Sequence, residues 1–249
     1  MRRQLHASLA LLVLGLALGA CGGSAAGSAD GTAEIWVTRD RGSEVILTAT
    51  VPAGLTVLQA LEREADVGTR YGGRFVQAIE GIEGSLAAQR AWFYFLNGIE
   101  PDVGATEVTL RPGDIAWWDF RSWAGPAEEQ AVAVGAFPEP FLHGWEGTRR
   151  PAQVRAPAEL GAEARALEAL LGGGNEPGEP NVFVLAVREG ADGATLAAAR
   201  GTGNGLPVTF TLAGSLEAVR AAARALVDNP TIVRFRYEAR FDEAGQVIG

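Results

Sequence analysis

Arg90-Ala91-Trp92-Phe93-Tyr94-Phe95-Leu96-Asn97-Gly98 decides the first reading of this chain. Six consecutive apolar or aromatic residues end at an Asn-Gly pair, which predicts a buried strand closed by a turn. Side chains alternate along a strand, so Trp92, Tyr94 and Leu96 share one face while Ala91, Phe93 and Phe95 share the other. A second stretch has the same character. Arg111-Pro112-Gly113-Asp114 reads as a turn, and Ile115 to Phe120 as the strand after it. Ile115, Trp117 and Asp119 then lie on one face, with Ala116, Trp118 and Phe120 opposite. A solvated antiparallel sheet needs only one apolar face. Two apolar faces imply a cover for the second: the rest of this chain, a ligand, or a protein partner.

Working outward, Ala33 to Thr38 and Ser43 to Val51 read as strands joined by a turn at Arg39–Gly42. Thr56 starts a helix, with Gln59 placed three residues later as its capping-box partner. Val57, Leu58, Leu61 and Ala65 give that helix one apolar face. Phe75 to Ile79 reads as a further strand. The order strand, strand, helix, strand, strand, strand over residues 33–124 fits a β-grasp.

Several short motifs in this region carry a family resemblance. They are Val51-Pro52-Ala53-Gly54 before Thr56-Val57-Leu58-Gln59-Ala60-Leu61, then Ile79-Glu80-Gly81-Ile82, Trp92 to Gly98, and Arg111 to Trp117. In that order and spacing, residues 33–124 resemble the transcobalamin-like C-terminal domain family. The resemblance implies a β-grasp-like fold. In animal cobalamin carriers the corresponding domain covers one face of the corrinoid, so a cobalamin-like ligand is an expectation here. Many bacterial relatives are extracytoplasmic lipoproteins.

The N-terminus agrees with that expectation. Arg2 and Arg3 precede an apolar run from Leu9 to Leu18, and Leu18-Gly19-Ala20 leads to Cys21, the one Cys in the chain. The run is short of the roughly 20 residues that span a bilayer and fits a signal-peptide core. We read 1–20 as a lipoprotein signal peptide and Cys21 as the lipidated residue; the alternative is a plain secretory peptide. Residues 21–32, rich in Gly, Ser and Ala, read as a flexible tether. The expected location is extracytoplasmic, on the bacterial cell membrane through a lipid on Cys21.

Residues 130–249 read as a second domain after a linker at Gly125–Gln130. Strand–helix–strand occurs twice, with helices starting at Pro157 and Ser215. Ala131–Phe137 is read as a short strand and Thr231–Phe241 as a long one. The pattern predicts a ferredoxin-like α/β sandwich, making the whole chain α+β.

Composition excludes several function classes. The 249 residues carry a net charge of −9 and a pI near 4.9, which disfavours nucleic-acid partners. All 21 basic residues are Arg, so Lys chemistry is absent. One Cys and two His, His6 and His143, leave no Cys- or His-based metal site. Gly201-Thr202-Gly203-Asn204-Gly205 precedes a strand instead of a helix, so it is not a phosphate loop. No catalytic motif is found, and we expect a protein that is not an enzyme. The expected function is small-molecule binding, with a flat, corrin-like or other small molecule handled for an importer. The alternative is a module that binds protein or glycan. The expected ligand contacts are Trp92, Tyr94 and Trp117 as flat apolar surfaces, Asp119 as a charge, and Asn97 as a hydrogen-bonding amide. No cofactor or metal is expected.

Overall fold

The computed structural model describes residues 30–124, 131–172, 177–201 and 207–248. Cys21 and the signal peptide, nearly all of the tether, the Gly125–Gln130 linker and most of the Gly201–Gly205 loop lie outside them. Among the described residues, no helix is long and apolar enough to cross a membrane.

The chain is α+β. Its first sheet contains β1 (Thr32–Arg39), β2 (Glu44–Pro52), β6 (Arg90–Leu96) and β7 (Ile115–Ser122), in the order β2-β1-β7-β6. β1 and β7 run parallel at the centre, and the flanking pairs are antiparallel. Helix α1 (Val57–Glu64) crosses one face and buries Val57, Leu58, Ala60 and Leu61. It starts where the sequence predicts. The Gln59 N–H donates to Thr56 Oγ1 at 3.1 Å, and the Thr56 N–H donates to Gln59 Oε1 at 2.9 Å. One helix on a mixed sheet with a central parallel pair is the β-grasp-like arrangement expected. A small second sheet, which the sequence reading missed in part, contains β3 (Val67–Arg70), β4 (Phe75–Ile79) and β5 (Ile82–Glu83). It stands beside β6.

The second half contains β8 (Ala152–Arg155), α2 (Gly161–Leu171), β9 (Asn181–Val187), β10 (Ala194–Arg200), β11 (Val208–Gly214), α3 (Leu216–Asp228) and β12 (Ala239–Phe241). Two helices pack on one sheet, as expected of a sandwich. Leu167 and Leu171 of α2 and Val219, Ala223 and Leu226 of α3 share a core with Phe183, Leu185, Phe210 and Leu212. The sheet departs from an all-antiparallel, four-stranded ferredoxin-like order. It has five strands in the order β12-β10-β11-β9-β8, with β8·β9 and β9·β11 parallel. Two segments also differ. Val134–Ala136 is a single 3₁₀ turn inside the segment read as a strand. The long strand read over Thr231–Phe241 shrinks to Ala239–Phe241. Pro230 starts a 3₁₀ turn, and Phe235 adopts φ +65°, a conformation that reverses the chain.

That reversal joins the halves. The Gly42 turn, at φ +79°, lies so close to Phe235 that a Cβ there would stand 1.6 Å from the Phe235 carbonyl oxygen. Trp36, Phe95, Trp117, Ala133, Ala136 and Tyr237 form one buried cluster across the junction. The second apolar face of the aromatic sheet is therefore covered by the chain itself.

Candidate functional site: a groove at the free edge of β6

Register decides where the five expected contacts go. Trp92 pairs with Phe120, Tyr94 with Trp118, and Phe95 with Trp117. Trp92 and Tyr94 thus lie on the α1 side of the sheet, while Trp117 and Asp119 lie on the side covered by the second half. The five do not form one platform. Trp92 and Tyr94 are 5% and 8% exposed, and Trp117, Asn97 and Asp119 are fully buried.

Trp117 and Asp119 belong to a buried polar chain. Trp117 Nε1–H donates to Thr38 Oγ1 at 2.8 Å, and the Thr38 hydroxyl donates to Asp119 Oδ1 at 2.6 Å. Asp119 also accepts from the Gly42 and Arg41 N–H groups, both at 3.1 Å, and from the Tyr237 hydroxyl at 2.9 Å. Four donors satisfy this carboxylate, so it serves the junction and not a ligand. Burial, reinforced by the Asp119 charge, pushes the Tyr237 phenol well above its ordinary value.

Asn97 makes the expected turn. It sits at φ +52° before Gly98 at φ +81°, and Leu96 and Ile99 exchange backbone hydrogen bonds across the pair. Its side chain staples three segments. Nδ2 donates to Asp114 Oδ1 at 2.8 Å and to the Gly144 carbonyl at 2.9 Å, and Oδ1 accepts from the Ile115 N–H at 2.8 Å. Burial pushes the Asp114 carboxyl up, against the bonds from Arg111 N–H and Asn97. Nearby, His143 Nδ1 lies 2.6 Å from Glu139 Oε1, and that hydrogen bond raises the imidazole pKa. Among the described residues, no group of three or more His, Cys, Asp or Glu could hold a metal ion.

The accessible space lies elsewhere. A cavity of about 800 Å³ opens between β4, β5 and the start of β6. Its apolar lining is Tyr71, Phe75, Leu86, Trp92, Phe93 and Trp123, and its polar lining includes Arg70, Gln77, Glu83 and Arg90. A cavity of about 230 Å³ continues past Phe75, Trp92 and Phe93 to Tyr94, Val103 and Gly104. Tyr71 and Leu86 are 80% and 86% exposed at the rim and stand with the exposed Phe75 around one groove, and a cluster of exposed apolar side chains marks a binding surface. Trp92 and Tyr94 brace the walls. Trp92 Nε1–H donates to the Ile82 carbonyl at 2.9 Å, and the Tyr94 hydroxyl donates to the Val103 carbonyl at 2.9 Å. Of the expected five, these two reach the groove. Phe93, Phe75, Trp123, Tyr71 and Leu86 were not anticipated. The signal available was their position: Tyr71 precedes Gly72-Gly73, and Leu86 follows Gly84-Ser85, so both are large apolar residues in turns.

A family model described as "Domain of unknown function (DUF4430)" matches residues 54–122. Among solved structures, haptocorrin in complex with Cbi is similar at 17% identity and TM-score 0.32; the match covers 37% of this chain and 25% of that one. The chain thus spans a quarter of that haptocorrin chain. A protein from Ruminococcus gnavus, described as a "putative metal binding protein", is similar at 13% identity and TM-score 0.29, over 37% of this chain and 98% of that one. No curated protein matches.

Proposed function

We propose that this protein is a ligand-binding module that holds a small molecule in the groove beside β6, and that it acts by binding without catalysis. The observation that carries this reading is the cavity of about 800 Å³ with six large apolar side chains and a few polar ones around it. Small-molecule sites have this size and make-up, roughly 300–1,000 Å³ with a mostly apolar lining. The resemblance of residues 33–124 to the transcobalamin-like family suggests a flat, corrin-like occupant. We further propose that the module is extracytoplasmic, held to the bacterial membrane by a lipid on Cys21, and delivers its ligand to an importer. Intact-mass analysis tests the anchor: a mature chain starting at Cys21 with added lipid supports it, and an unlipidated start well downstream ends it.

The groove is tested by native mass spectrometry of the purified protein after exposure to cell extract, beside a Leu86→Glu variant. Leu86 is exposed, so the substitution leaves the core alone while placing a charge at the groove mouth. The expected result is a small molecule retained by the natural protein and lost from the variant. A ligand retained equally by both places binding outside the groove.

A further inference from the structure

The backbone of β6 carries information that its side chains do not. Asn97 N–H donates to the Ile115 carbonyl, and Trp123 N–H donates to the Gln89 carbonyl. With the pairing register of β6 and β7, these bonds fix the parity of the strand. Residues 91, 93 and 95 turn their N–H and C=O groups toward β7, and residues 90, 92, 94 and 96 turn theirs away. At the ends of this outer edge the groups are used. Arg90 exchanges two bonds with Ser85, and Leu96 exchanges two with Ile99. Between them, the N–H and C=O groups of Trp92 and Tyr94 have no protein partner among the described residues. β4 does not supply one: it pairs with β3 and, at Ala78 and Ile79, with β5, and no backbone bond joins it to Trp92 or Tyr94. These four groups lie where the two cavities meet, since Trp92 lines both, Ala91 and Phe93 flank it, and Tyr94 lines the second.

We infer that this gap is a β-augmentation site: a short extended peptide adds as a fifth strand beside β6. The inference rests on the reading of the groove as the ligand site and assigns it a short peptide in place of the corrin-like molecule that the resemblance suggests. An extended segment offers alternate residues whose N–H and C=O point the same way. Three residues therefore satisfy all four groups, with the outer two opposite Trp92 and Tyr94. The interval from Arg90 to Leu96 spans roughly 20 Å, which limits the added strand to about five residues. Phe75, Trp92 and Phe93 between the cavities favour apolar side chains on the peptide. A second copy of this chain is the poorer occupant. The edge is recessed, with Trp92 and Tyr94 only 5% and 8% exposed, and two recessed edges cannot meet, whereas a single slim strand can enter.

The test uses the whole protein and the blocked peptide acetyl-Thr-Phe-Thr-Phe-Thr-amide. Two derivatives carry N-methyl groups, one at the odd residues and one at the even residues. Binding is followed by the backbone amide signals of Trp92 and Tyr94 in nitrogen–proton correlation spectra. The expected result is a shift of both signals, and a loss of roughly tenfold or more in affinity for one derivative only, because only one set of amides faces β6. Equal affinity of both derivatives, or shifts that miss Trp92 and Tyr94, overturns the inference. So does concentration-dependent dimerisation that perturbs the same two signals without peptide. A corrinoid that binds and is blocked by Leu86→Glu, while no peptide binds, overturns the peptide assignment and leaves the groove reading standing. No ligand of either kind blocked by Leu86→Glu overturns both.

Discussion

Replacing Asp119 by Asn tests the junction at its most specific point. The carboxylate accepts from Thr38 and Gly42 at Oδ1 and from Arg41 and Tyr237 at Oδ2. Asparagine has the same shape but one acceptor oxygen. If that oxygen faces Thr38 and Gly42, the new NH₂ faces the Arg41 N–H. If the amide flips, the NH₂ faces the Gly42 N–H. The Thr38 and Tyr237 hydroxyls can rotate to accept, but a backbone N–H cannot. Either way one half-buried backbone N–H loses its carboxylate acceptor, at about 1–3 kcal/mol, and the remaining bonds lose their charge assistance. Relief from burying a charge offsets part of this. The net expectation is a loss of about 3 kcal/mol, read from urea unfolding followed by tryptophan fluorescence. Tyr237→Phe removes one donor and leaves three, so it should cost about 1–2 kcal/mol. The two substitutions should couple in a double-mutant cycle. A change below about 0.5 kcal/mol for Asp119→Asn would show that the network does not hold the halves together.

Gly42→Ala should cost more than the roughly 1–2 kcal/mol of left-handed backbone alone, because its Cβ meets the Phe235 carbonyl oxygen at 1.6 Å. Gly72→Ala, at φ +69° with nothing within 4 Å, isolates the backbone part; equal losses at the two sites would contradict the close approach. Stability should also fall as pH rises through about 10. The folded state holds the Tyr237 proton more tightly than the unfolded state does, so above the unfolded value the unfolded chain ionises first and is favoured. Urea midpoints between pH 8 and pH 11 should drop, less steeply in Tyr237→Phe, and identical slopes in the two proteins would exclude this phenol as the source.

Much of the fold was legible because it is written in short-range patterns. The Thr56–Gln59 box, the alternation of residues 91–96 and the Asn97-Gly98 turn each depend on neighbours within four residues, and each is found. The faces of β6 and β7 were also read correctly, one strand at a time. What the sequence did not reveal is register. Pairing Trp92 with Phe120 separates it from Trp117, so a platform joined from both strands was split between the two faces of the sheet. Thr231–Phe241 misled for a related reason. Val233, Phe235 and Tyr237 alternate as a strand would, but Phe235 takes a left-handed conformation that bulky residues rarely adopt and that no composition rule signals. The groove was invisible because β3 and β5 are too short to show periodicity, and because an unpaired edge is a property of what lies beside a strand.

The parallel pairing of β1 and β7 also gives the molecule a direction. The chain enters β1 at Thr32, at the end of the sheet that holds Ile115, Asn97 and Asp114. β1 then runs eight residues, roughly 26 Å, toward Arg39 and Phe120. Arg90, Trp92 and the wide mouth of the groove stand at that far end, where Arg90 pairs with Ser122 and Trp92 with Phe120. The groove therefore opens at the pole of the first sheet opposite the one where the chain enters β1.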